Sequence, residues 1–221
     1  MDEAVERMQQ IDAALPASDG LACFNKVYLD ITQQVEHQVT AGFFADPAWL
    51  GHLDVVFANI YFSAVNAVTQ EPDNLPAAWA PLLQSRLVPG IYPIQFALAG
   101  MNAHINHDLA IAVVRTCADL GTTPGDGSHH DDYQKVDNIL DGCEQAIRQS
   151  FESEAVSSAD QHAQAVLNLI GNWSINSARD VAWDTALGLW AARGVTSVED
   201  LLMNGLARTV GMASRCLLVT F

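Results

Sequence analysis

The stretch Gly100-Met101-Asn102-Ala103-His104-Ile105-Asn106-His107-Asp108-Leu109 sets two histidines, two asparagines and one aspartate inside an apolar run. The run extends from Ile91 to Val114 and reads as a helix apolar on nearly all sides, which belongs in an interior. Polar groups buried there must be paired or coordinated. His104 and Asp108 are four apart, so a helix stacks them on one face. A carboxylate in that position orients an imidazole for general acid–base work, and the same pair can offer two ligands to a divalent metal. The structural alternative is a pair that satisfies only itself. Asn102 and Asn106 form a second polar pair on the opposite face, with Gln95 nearby.

Three further groups accompany it. Asp54 and Tyr61 are seven apart on an apolar stripe with Phe57, Ala58 and Val65. A buried aspartate needs a cation or a metal beside it. His129-His130-Asp131-Asp132-Tyr133, followed by Asn138, lies where the loop Gly121 to Ser128 enters a helix. Three glycines and a proline give that loop the freedom of a lid, or only of a connector. Arg179 and Trp183 share a face, and an inward arginine wants a carboxylate from the protein or from a ligand. A salt bridge to Asp54 or Asp108 is the structural alternative. Together these suggest one pocket with His104, Asp108, Asp54, Arg179 and Tyr61 as the chemical groups. Asn102, Trp183, Tyr92, Phe96, His130, Asp132 and Asn138 are the expected substrate contacts. A metal variant places zinc, iron or manganese between His104, Asp108, Asp54 and a ligand from 129–132.

The elements needed to position these residues read as helices throughout. Val5, Met8, Ile11 and Leu15 make one stripe; Asp19 caps the next helix, and Asp46-Pro47 supplies a cap and a first-turn proline. Further helices are expected from Asp46 to about Thr69, Pro76 to Leu87, Ile91 to Leu120 and Asp131 to Glu154. Another starts near Ser157, one covers Ile175 to Leu189, and a last one is capped at Thr196-Ser197. No alternating β-branched run is bounded by turns, so no sheet is expected. The fold class is all-α: a single domain over residues 1–221 with about seven or eight helices.

Composition narrows the function. Ten basic residues against 26 acidic ones give a net charge of −16, which argues against nucleic acid and anionic membrane surfaces as partners. The N-terminal residues lack a basic start and an apolar core, and the apolar stretches are interrupted, so neither a signal peptide nor a membrane span is expected. The four cysteines, Cys23, Cys117, Cys143 and Cys216, make no CxxC pair and read as small buried hydrophobes, which suits the cytoplasm. Phosphate-cradling and dinucleotide loops, GxSxG and HExxH are all missing from the sequence. No organic cofactor is therefore expected.

The combination of Leu53-Asp54, Phe57-Ala58, Tyr61, the 100–109 element, Asp132-Tyr133, Asn138, Arg179 and Ala182-Trp183 resembles an uncharacterised helical family common in actinobacteria, a domain of unknown function. The resemblance implies a helical fold with a shared polar interior and implies no reaction. A more distant likeness, through His-x-x-x-Asp alone, is to helical zinc-dependent phospholipases and nucleases, whose many further histidine ligands are missing here. The residues themselves suggest an enzyme acting on a small molecule, as in secondary metabolism. It would catalyse cyclisation, isomerisation, dehydration or hydrolysis by acid–base chemistry. A metal-dependent hydrolase using the His-x-x-x-Asp pair, and a non-catalytic ligand-binding or scaffold protein, are the alternatives.

Overall fold

Chain reversals are set by capping residues. The computed structural model describes residues 2–157 and 174–220. Helix α1 spans Asp2–Ala14. Asp19 then accepts from the Leu21 amide at 2.9 Å and starts α2, Gly20–Thr40. Asp46 accepts from the Trp49 amide and, with Pro47 in the first turn, starts α3, Pro47–Gln70. These are the caps expected from sequence, because an aspartate fixes the orphan amides of a first turn wherever it stands. The helix expected from Pro76 to Leu87 is shorter, α4, Ala80–Ser85.

The apolar run becomes the centre of the molecule, but not as one α-helix. α5 covers Pro93–Ala103, a π-helical turn covers His104–Leu109, and α6 covers Ala110–Leu120, ended by Gly121 at φ 67°. A π turn widens the helix by one residue and usually persists where side-chain bonding compensates for the weaker backbone geometry. Here it coincides with the polar cluster. α7 spans His129–Ser157, α8 Ile175–Ala192 and α9 Thr196–Leu217. Ser174 caps α8, whereas no side chain caps α9: Val195 occupies that position and Ser197 lies inside the helix. The helix start expected near Ser157 and the boundary at 172–173 fall largely outside the described residues.

α5, the π turn and α6 form a central rod. α2 and α9 pack along α5, α3 and α8 along α6, and α7 closes the gap between α2, α3 and α8. Among the described residues there is no strand. The core is continuous from Met8 and Phe24 through Trp49, Tyr61 and Trp79 to Tyr133 and Trp183. Among the described helices, α3 has the length and apolarity of a membrane span, with a mean hydropathy of 1.2. Its inward residues, among them Trp49, Leu53, Ala58, Tyr61 and Phe62, belong to this core. None of the four cysteines is in a disulfide, but only Cys117 and Cys143 are buried, and Cys216 is exposed.

Candidate functional site

The π turn carries His104, His107 and Asp108 inward. Asp108 is fully buried and accepts three hydrogen bonds. The Trp79 indole donates to Oδ2 at 2.9 Å, His104 Nδ1 to the same oxygen at 3.1 Å, and His107 Nδ1 to Oδ1 at 2.6 Å. Burial alone pushes the Asp108 carboxyl up, but the bonds from His104 and His107 outweigh it and hold the group below the usual carboxylate range. An ionised Asp108 accepts a hydrogen bond from His104 Nδ1–H and so holds the proton on Nδ1, which leaves Nε2 as the bare lone-pair nitrogen. Burial lowers the His104 pKa further than Asp108 raises it, so the ring is neutral near pH 7. Its Nε2 is buried and has no hydrogen-bond partner.

That nitrogen belongs to a residue lining a cavity of about 90 Å³ between α2, α3, the π turn, α7 and α8. The walls are mostly apolar, from Phe24, Val27, Leu53, Phe57, Val136 and others. Phe57 stacks on the His104 ring with centroids 3.6 Å apart, and the Tyr28 ring stands edge-on at 4.3 Å. Besides His104 Nε2, three more buried polar atoms on the lining, Tyr28 Oη, Thr32 Oγ1 and Asp54 Oδ2, have no well-formed hydrogen bond among the described residues, the Tyr28 and Thr32 hydroxyls approaching only each other. Tyr28 and Thr32 lie one helical turn apart on α2. Burial, with the negative charges of Asp54 and Asp108 adding to it, raises the Tyr28 pKa well above 10, so it is a neutral phenol. Burial pushes Asp54 up to about 7, against the positive charge of the N-terminal amino group and with the charge of Glu36 adding to it.

Arg179 lines the same cavity, yet not as a partner of Asp54 or Asp108. Its Nε donates to Asp137 at 2.6 Å and its Nη2 to the Tyr133 carbonyl at 2.6 Å, with the guanidinium 4.1 Å over the Tyr133 ring. Tyr133 answers by donating to the Arg179 carbonyl at 2.7 Å. Asp54, His104 and Arg179 thus stand on one cavity, while Asp108 stands behind His104.

Tyr61 does not reach it. Its hydroxyl donates to Asn25 at 3.0 Å, and Asn25 in turn donates to the Met8 carbonyl. Tyr28 occupies the place expected of Tyr61, and with Thr32 it is what the sequence reading missed. The signal was there in weak form: Tyr28 and Thr32 are polar-tipped residues at i and i+4 on the apolar stripe of α2. The expected substrate contacts also lie elsewhere. Asn102 donates to the Val210 carbonyl and to Ser214, and accepts from Asn106, clamping α9 to the rod. Phe96 packs against Gly20, and Tyr92 caps α5 with Gln95. Trp183 packs on His130 and Tyr133. Asp132 accepts from the Ala45 and Asp46 amides and from Lys135, anchoring the chain just before α3. Asn138 is exposed and borders a separate polar groove between α2 and α7.

The loop Gly121 to Ser128 contributes no described lining residue. His129, expected at an exposed tip, is buried, stacked on Trp49 at 4.4 Å and bonded through Nδ1 to the Thr123 carbonyl. The expected metal set does not assemble. Among the described residues no group of three or more histidines, cysteines or acids is placed to hold a metal ion. Asp108 spends both oxygens on three donors.

The fold and site define an all-helical protein with an apolar cavity ringed by unsatisfied polar groups and backed by a buried His–Asp pair. The chain belongs to a family of unknown function, DUF5995, whose model matches residues 1–220. No curated protein and no solved structure matches it.

Proposed function

We propose that the protein is an enzyme that moves a proton on a small organic molecule held in this cavity. His104 is the base and Tyr28 the neutral hydroxyl donor. The observation that carries the reading is the arrangement of one imidazole. Its Nδ1 is tied to an ionised Asp108, and its Nε2 has no hydrogen-bond partner among the described residues, on a side chain that lines an apolar cavity. A fully packed structural histidine satisfies both nitrogens. A base needs one nitrogen fixed and the other free. Isomerisation, cyclisation and dehydration each take one proton and return one, which a His104–Tyr28 couple supplies without an organic cofactor. Arg179 and its Asp137 counter-charge form a polar part of the wall.

The test is exchange of α-protons of small ketones with D2O, followed by NMR. Wild-type protein should accelerate exchange over buffer, and His104→Gln should abolish the excess. Equal rates in wild type, variant and buffer refute the base role. A second reading, a non-catalytic polar node that fixes helix packing, draws on the three donors that saturate Asp108. Under it, His104→Gln costs stability and no exchange is seen with either protein.

A further inference from the structure

We propose that the ligand of the cavity is a small organic cation, a primary amine on a short apolar chain, whose ammonium is held by Asp54 with the hydroxyls of Tyr28 and Thr32. The inference rests on the cavity's being the substrate site, as proposed above, and names the substrate class. Besides the His104 nitrogen, which the proton transfer needs free, three orphaned atoms on the lining can accept: Oδ2 of Asp54, once ionised, and the hydroxyl oxygens of Tyr28 and Thr32. A ligand that satisfies them must bring several N–H or O–H donors from one small head. An ammonium has three.

Charge points the same way. An ionised carboxylate in such a place needs a cation. Among the described residues no lysine or arginine hydrogen-bonds or ion-pairs with Asp54, Arg179 being committed to Asp137 at 2.6 Å, and the positive charge of the N-terminal amino group offsets its burial only in part. Glu36, with a buried oxygen that also lacks a hydrogen-bond partner, adds negative potential at Asp54. An anionic ligand would meet the carboxylate of Asp54, and Arg179 has no uncompensated charge to offer it. The net charge of −16 draws cations toward the molecule at long range. A cavity of about 90 Å³ limits the apolar tail to a few carbons.

The experiment uses the full chain and three probes of one size: propylammonium, 1-propanol and propionate. Binding is read by thermal shift and by NMR line broadening of each probe, in wild type, Asp54→Asn and His104→Gln. Propylammonium should bind most tightly. Asp54→Asn should weaken it by about tenfold or more, the loss expected when a buried charge loses its partner. The same variant should leave 1-propanol within about twofold, which also shows the cavity intact. His104→Gln should weaken propylammonium less. Tightest binding of 1-propanol or propionate overturns the amine assignment, as does propylammonium binding unchanged in Asp54→Asn, or no binding of any probe. Amine binding without proton exchange on any substrate leaves this inference standing and removes the catalytic reading instead.

Discussion

Replacing Asp108 by asparagine tests the buried node on which the site depends. The carboxylate is completely shielded and answers three donors, two on Oδ2 and one on Oδ1. Asparagine offers an acceptor on one side only. With its oxygen toward Trp79 and His104, its NH2 faces His107 Nδ1. The half-buried His107 can accept there by moving its own proton to Nε2. Two bonds then lose charge assistance, at about 1 kcal/mol each, and the His107 contact is rebuilt, so a cost of ~2–3 kcal/mol follows. Alanine leaves all three donors without a partner, two of them fully buried, and should cost ~4–6 kcal/mol. For a chain of this length, each kcal/mol lowers Tm by about 2–4 °C. Urea unfolding followed by circular dichroism gives the free energies. The expected order is wild type, then asparagine, then alanine. Asparagine or alanine within about 0.5 kcal/mol of wild type would show that the three bonds carry no net weight, and the reasoning fails. In folded Asp108→Asn the His104 pKa should fall below its wild-type value, since Asp108 is what partly offsets the effect of burial. Histidine NMR reads this directly.

Asp54 gives a pH signature of opposite sign to that of a stabilising carboxylate. In the fold it keeps its proton up to about 7, whereas unfolded it ionises near its ordinary value of 3.8. The folded state therefore binds the extra proton, and stability falls as pH rises between those values. Asp54→Asn should flatten that slope and stabilise the protein at pH 8 by a few kcal/mol, at about 1.4 kcal/mol per pKa unit; an unchanged slope in urea titrations would exclude it. Tyr28→Phe removes a hydroxyl without a well-formed hydrogen bond among the described residues and should leave Tm within about 2 °C while abolishing the ketone exchange. Tyr61→Phe strands the Asn25 oxygen and should cost about 1 kcal/mol with exchange retained. Gly211→Ala drives a Cβ to 2.3 Å from the Ala77 carbonyl oxygen, a backbone atom that cannot rotate away. It should destabilise by ~2 kcal/mol or more in denaturant titration, despite alanine's better helix propensity.

What the sequence determined by itself was local. Helical periodicity, the caps at Asp19 and Asp46, and the stops at Gly121 and Gly194 depend on residues within one or two turns, so they were legible without a fold. The inward destination of His104, Asp108, Asp54 and Arg179 was legible too, because polar residues on apolar stripes have nowhere else to go. Partner choice was not. Arg179 took Asp137, 42 residues away in sequence, over Asp54 and Asp108, which were equally acidic and equally suitable on paper. Tyr28 and Tyr61 both lie on apolar stripes. Only the approach of Asn25 to Tyr61 satisfied that hydroxyl, whereas Tyr28 lines the cavity without a comparable partner among the described residues. The polar face at Asn102 and Gln95 found α9 in place of a ligand, through Val210, Ser214, Leu217 and Val219. The π turn belongs with these long-range outcomes. Widening a helix weakens its backbone bonding, and here it coincides with Trp79, brought from the turn before α4, capturing Asp108 between two histidines. Cavities are set by how helices cross, which depends on every pair at once, and so the site's shape belonged to the tertiary structure alone.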